Sequence, residues 1–178
     1  MERQPELCFA AFEASESTLA RLPDRPSDVG CPLKDVVRLE GSSLTLRPAR
    51  PVATCPLAAA WMLFERHALQ PAAKKHFGAP VVEVRHLGSY VCRNVYWRSS
   101  GRRSEHATAN ALDIVSFRIS GGREIQLQRD WGKGVEGAFL NDVQQGACRF
   151  FRAVLGPEYN AAHHDHFHMD RGRWSRCS

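Results

Sequence analysis

Four of the eight histidines fall within six positions, at His163, His164, His166 and His168. In an extended chain, residues two apart project to the same side, so His166 and His168 are expected to point together. One cation can then be reached by both, or held by one while the other works beside it. Histidine clusters of this kind also occur on surfaces without a metal, so this segment alone does not decide. The second half lies upstream, in Ser104-Glu105-His106-Ala107-Thr108-Ala109-Asn110-Ala111-Leu112-Asp113. Asp113 is the one acidic residue of an alternating run from Ala111 to Ile119, which places Asp113, Val115, Phe117 and Ile119 on one face. A carboxylate turned toward a core must be paired, protonated or metal-bound. One option is a salt bridge to Arg93 or Arg118. The other, favoured by His106 across a turn of small residues, is ligation. Two imidazole nitrogens and one carboxylate oxygen form a catalytic zinc set that leaves a position for water.

The elements that must carry these groups follow from periodicity. Val81-Val82-Glu83-Val84 is β-branched and reads as a strand. Ala111 to Ile119 reads as a second, followed by the turn Ser120-Gly121-Gly122-Arg123 and a partner strand through Ile125 and Leu127. Thr54 can cap a helix with Pro56 in its first turn, and Leu57, Trp61, Met62, Glu65 and Leu69 keep helical spacing, with Pro71 and Gly78 limiting it. Phe139, Leu140, Val143, Ala147, Phe151, Val154 and Leu155 mark an amphipathic helix that runs to Gly156-Pro157. Residues 1–50 read as an irregular lead-in, rich in Pro, Gly and Ser, packed on the body. It carries one small hairpin from Val36-Val37-Arg38-Leu39 and Leu44-Thr45-Leu46, and Cys8 and Cys31 tie it down. The expected fold class is α+β: a small antiparallel sheet carrying the zinc site, flanked by helices, over residues 51–178.

Length and composition set the bounds. The chain has 178 residues, 43% hydrophobic and 24% charged, enough for one sizeable core. No stretch reaches the roughly 20 apolar residues of a spanning helix, so no transmembrane segment is expected. The net charge of +5 comes from scattered basic residues without interleaved aromatics, which argues against nucleic-acid binding. Six widely spaced cysteines without a C-x-x-C pair suit three disulfides in an oxidising compartment. Met1-Glu2-Arg3-Gln4-Pro5 lacks the apolar core of a signal peptide, so the expectation is a periplasmic or secreted protein whose targeting segment is absent from this sequence. The simplest pairing by sequence neighbourhood is Cys8–Cys31, Cys55–Cys92 and Cys148–Cys177.

The H-x6-D element followed by H-x-H resembles the zinc peptidases that group lysostaphin-type enzymes, D-alanyl-D-alanine peptidases and the hedgehog signalling domain. A closer resemblance is to the bacterial extensin-like C-terminal domain, through SEHATANALDI, FLNDVQQGACRFF and HHDHFHMD in this order, over about residues 8 to 177. Despite the name, the chain has no Ser-Pro repeat. The resemblance implies that His106, Asp113 and His168 bind zinc and that His166 beside them transfers protons. It further implies an extra active-site histidine in His163, and an oxyanion-stabilising arginine in Arg93. Asp165 stands where many D-alanyl-D-alanine peptidases carry a glutamate base, so it either orients His166 or replaces it as base. The family pattern H-x-x-G-x-A-x-D meets Ala109 where glycine is usual. The activity implied is hydrolysis of peptide bonds in bacterial peptidoglycan by a monomer. A non-catalytic zinc-containing cell-wall-binding domain is the alternative, and a disulfide-rich structural domain with surface histidines is a third reading.

Overall fold

The computed structural model describes residues 5–14, 19–39 and 43–178. A helix, α1 (Pro5–Glu13), precedes the short strands β1 (Leu19–Arg21), β2 (Val36–Leu39), β3 (Thr45–Arg47) and β4 (Val52–Thr54). Next come α2 (Cys55–Phe64), a π-helical turn (Glu65–Leu69) and α3 (Gln70–Phe77). The strands β5 (Val81–Gly88), β6 (Ala111–Ile119) and β7 (Glu124–Gln126) follow, then the helices α4 (Leu127–Asp130) and α5 (Gly134–Ala147). The chain closes with β8 (Ala153–Leu155), β9 (Phe167–Asp170) and β10 (Arg176–Cys177).

This is an α+β fold, but its main sheet is neither small nor purely antiparallel. Seven strands join it in the order β10-β8-β9-β6-β5-β3, with β7 also paired to β6. The β3–β5 and β8–β10 pairs are parallel, whereas β5–β6, β6–β9 and β8–β9 are antiparallel. The expected hairpin of 36–39 with 44–46 does not form. Instead β2 pairs with β1 and β4 in a separate three-stranded sheet, and β3 goes to the edge of the main one. The residues 40–42 that would have turned it lie outside the described residues. Among the described residues the first fifty are thus more regular than expected, and Cys8, Phe9, Leu44 and Leu46 enter the principal core.

Local signals explain the helix that begins at Cys55. Thr54 Oγ1 accepts from the Leu57 amide at 3.4 Å, Pro56 occupies the first turn, and Gly78 ends α3 in the left-handed conformation at φ 67°. Pro71 does not end it. The widened π turn just before α3 absorbs the residue that cannot donate a hydrogen bond, and Pro71 then falls in the first turn of α3. α5 crosses that turn closely: a β-carbon on Gly146 would lie 2.6 Å from the Ala68 methyl. Trp61, Phe64, Phe117, Phe139 and Phe167 are fully buried between helices and sheet, each contributing about 2–3 kcal/mol by leaving water.

Two further expectations give way to tertiary packing. The amphipathic pattern through Val154 and Leu155 does not remain helical. α5 stops at Ala147, and Ala153–Leu155 pairs with β9 as a strand. In β6, Asp113 and Phe117 do not share a face. Arg85 pairs with Ser116 and His86 with Ile114, leaving Val115 as an extra residue. This bulge reverses the alternation, so that Leu112 and Ile114 before it, and Phe117 and Ile119 after it, all reach the core.

The disulfides are Cys8–Cys55, Cys31–Cys92 and Cys148–Cys177. The third agrees with the expected pairing, and the first two correct it. Nearness in sequence misled for the N-terminal four, because α1 packs against α2 and brings Cys8 to Cys55. Cys31 is thereby left to staple the segment that carries Arg93. Removing the Cys31–Cys92 bridge by a double serine substitution is expected to cost about 2–4 kcal/mol. The readout is a lower urea midpoint with a steeper slope, since the unbridged unfolded chain is more expanded, and an unmoved midpoint would show that the bridge carries no stability. No helix among the described residues is long and apolar enough to cross a membrane.

Candidate metal centre

Three elements bring the chemical groups together. A 3-10 turn, Glu105–Thr108, presents His106; Ser104 caps it, its hydroxyl accepting from the His106 amide at 3.3 Å. Ala109 ends the turn in the left-handed region at φ 55°, where glycine would be free and alanine costs roughly 1–2 kcal/mol. Its methyl group is fully buried against Leu33 and Val36, which offsets part of that cost. β6 supplies Asp113, and β9 supplies His168 directly opposite it in the antiparallel register. A β-carbon on Gly172 would meet the Glu105 carboxylate at 2.6 Å, so the loop after β9 lies directly on the His106 turn.

His106, Asp113 and His168 form one cluster with ligand atoms within 4.8 Å of each other, a set that could hold a metal ion. His168 Nδ1 lies 2.9 Å from Asp113 Oδ1, His106 Nε2 lies 3.1 Å from Asp113 Oδ2, and the two nitrogens are 3.2 Å apart. Neither proposed arginine pairs with Asp113; Arg118 instead bonds Glu83 at 3.1 Å. Burial alone would raise the Asp113 carboxyl, but hydrogen bonds from His106 and His168 hold it well below the usual carboxylate range.

Asp170 was not among the sequence candidates. Its Oδ2 accepts from His168 Nε2 at 3.0 Å, fixing the ring so that Nδ1 faces the cluster. The period-two spacing that joins His166 to His168 extends to Asp170, which is the signal that could have found it. Burial would lower the His168 pKa, but the bonds to Asp113 and Asp170 outweigh it and push it up to about 9. The site therefore favours a positive charge between two carboxylates. In metal-free protein this proton contributes stability that is fully present below the unfolded value near 6.5 and lost as pH rises through about 9. Metal-free protein is expected to lose on the order of 1–3 kcal/mol between those limits by urea denaturation. Asp170→Asn should flatten that loss, and an equally steep loss in the variant would remove Asp170 from the account.

His166 lies just outside the cluster, its Nε2 3.9 Å from Asp113 Oδ1. Its Nδ1–H donates to Asp165 Oδ1 at 2.8 Å, which leaves Nε2 as the free lone pair on the cluster side. The His163 ring lies beside it, tilted by 41° with ring centroids 5.2 Å apart. Its Nδ1–H donates to Asn160 Oδ1 at 2.7 Å, and Asn160 Nδ2 donates to the Tyr96 hydroxyl at 3.0 Å. Burial first, then the neighbouring His166 and His168, lower the His163 pKa to about 4, so this ring is neutral at physiological pH. Arg93 follows the Cys31–Cys92 staple, and its carbonyl accepts from the Ser104 amide at 3.1 Å. Arg93, Tyr96, Asp113, His163, His166, His168 and Asp170 line one open cleft of about 1050 Å³. His164 points elsewhere and is exposed.

None of the curated proteins and none of the solved structures compared with it matches the chain. One family model does, that of the extensin-like protein C-terminus, over residues 6–178. With nearly the whole length matched, and the histidine and aspartate motifs inside the match, the chain belongs to the extensin-like protein C-terminus family.

Proposed function

We propose that this protein is a periplasmic or secreted zinc peptidase that hydrolyses peptide bonds in bacterial peptidoglycan. The observation that carries this reading is the two-histidine, one-carboxylate cluster at an open cleft, with a third, oriented histidine beside it. The two ring nitrogens are 3.2 Å apart, close to the ~3.3 Å edge of a tetrahedron built on bonds of ~2.0–2.1 Å, the usual zinc geometry, and one Asp113 oxygen completes a set of donors within 4.8 Å of one another. Asp170 supports the same assignment, because zinc-ligating histidines commonly donate their other N–H to a carboxylate. Three disulfides fit an oxidising compartment. The substrate class rests on the resemblance to the zinc D-alanyl-D-alanine peptidases and murein endopeptidases.

A zinc ion held there would lower the pKa of water toward ~7 and polarise the scissile carbonyl. The chain's own groups divide the remaining work. His166 Nε2 takes the water's proton and returns it to the leaving amine. Asp165 keeps the His166 tautomer that makes this possible. Arg93 faces the charge that builds on the carbonyl oxygen. His163, neutral and anchored by Asn160, accepts a hydrogen bond at Nε2 without adding a positive charge beside the metal.

The test is digestion of purified peptidoglycan with and without chelator, followed by mass spectrometry of the fragments. Chelator-sensitive loss of cross-links or shortening of stem peptides is expected. An unchanged fragment profile with fully zinc-loaded protein overturns the hydrolase reading and leaves a wall-binding domain.

A further inference from the structure

Beyond the cluster, the cleft has a rim whose composition the proposed chemistry does not use. Trp97 and Trp174 both line it, and they are 72% and 70% exposed. Large aromatic rings left in water are costly, and their natural use is a flat ligand face. The backbone adds an independent observation. Tyr96 and Trp97 are consecutive non-glycine residues with left-handed φ of 54° and 57°. Such strain, roughly 1–3 kcal/mol per residue, persists where the surroundings hold it, and it clusters at ligand clamps. Here the Asn160 amide holds the Tyr96 hydroxyl, and the Arg93 guanidinium lies 5.2 Å over the Trp97 ring. The strain thus presents one indole to the cleft beside Arg93.

Charge points the same way. Glu105 is matched by Arg102 at 3.6 Å, and Asp113 and Asp170 are turned to the cluster histidines. Arg93, Arg173 and Arg176 add three guanidinium groups to the cleft lining. The ligand that suits such a wall presents apolar ring faces and carboxylates together. The C–H face of a pyranose is weakly electropositive and stacks on the electron-rich indole face, and guanidinium forks take carboxylates.

We propose that Trp97 and Trp174 form a saccharide subsite that holds an amino-sugar ring of the glycan strand, while Arg173 and Arg176 face carboxylates of the attached peptide. This rests on the peptidoglycan reading above and names which part of the polymer the rim takes. The sugar contact is made by the tryptophans alone, so it separates from hydrolysis.

Binding is measured on chelator-treated protein by calorimetry, with three probes: a disaccharide-tetrapeptide, the same tetrapeptide without sugar, and an N-acetylglucosamine tetramer. Trp97→Ala and Trp174→Ala are each expected to weaken the disaccharide-tetrapeptide and the sugar tetramer by about 10-fold or more, and to leave the free tetrapeptide unchanged. Equal weakening of the free tetrapeptide, or no weakening of the disaccharide-tetrapeptide, overturns the proposal. Trp97→Gly suits the left-handed backbone, so it should melt no lower than the native chain while sugar binding is lost. Melting several degrees lower with sugar binding kept makes the ring a structural prop and overturns the proposal. Sugar-dependent binding without any zinc-dependent cleavage keeps the subsite and removes the peptidase. Cleavage of stem peptides with no difference between the disaccharide-tetrapeptide and the free tetrapeptide keeps the peptidase and removes the subsite.

Discussion

His168→Ala is expected to lose both zinc and hydrolysis. The ring contributes Nδ1 to the donor triangle and is the member fixed from behind by Asp170. Zinc sites of protein ligands bind with ~10–16 kcal/mol in all, so one ligand among three amounts to a few kcal/mol, about 10²–10⁴-fold in affinity. The truncation also leaves Asp113 and Asp170 facing each other without the cation between them. That adds roughly 1–3 kcal/mol of uncompensated desolvation. Elemental analysis and a zinc-competition titration supply the readout, with Asp113→Ala as the parallel case. One zinc per chain retained at native affinity in both variants would falsify the three-residue site.

His166→Ala is expected to keep its zinc and lose turnover. The ring lies 3.9 Å from Asp113 through Nε2 and belongs outside the triangle, so its removal does not open the coordination set. A positioned acid–base group contributes typically about 10²–10⁴-fold to kcat, and that is the loss expected here, with KM little changed. Asp165→Ala should be milder. Its carboxylate holds His166 Nδ1 at 2.8 Å and is more exposed than the ring it orients. Orientation by a carboxylate commonly contributes about 10–100-fold. If Asp165→Ala abolishes turnover while His166→Ala stays active, the roles are reversed and Asp165 is the base. If His166→Ala loses zinc as readily as His168→Ala, His166 is a ligand.

Much of the local architecture was legible along the chain. Thr54, Pro56 and Gly78 marked the limits of the helical stretch because capping and left-handed termination depend on the residue itself. The Gly121-Gly122 turn marked the β6–β7 hairpin for the same reason. His106 and Asp113 stood out as unusual residue types in small-residue and apolar runs. The histidine cluster left His166 and His168 open until the family resemblance chose His168, and the structure brings His106, Asp113 and His168 together. Strict alternation puts Asp113 on the face of Phe117, but in the fold the two do not share one. A single extra residue at Val115 shifts the phase, and nothing within β6 announces it.

What the sequence determined by itself was therefore chemical and local: which side chains could hold a cation, which residues could cap or break an element, and that six cysteines should pair. Tertiary structure decided everything that depends on chain path. Cys8 meets Cys55 because α1 lies on α2, and Val154 and Leu155 become a strand because β9 offers them partners. β2 and β3, adjacent in sequence, part to different sheets. Asp113 faces His168 across 55 residues because the β6–β9 register sets them opposite one another. Helical and strand periods are carried by neighbours a few residues apart. Pairing between distant segments is settled by the summed burial of the whole core, and one bulge or one shared helix face can redirect it.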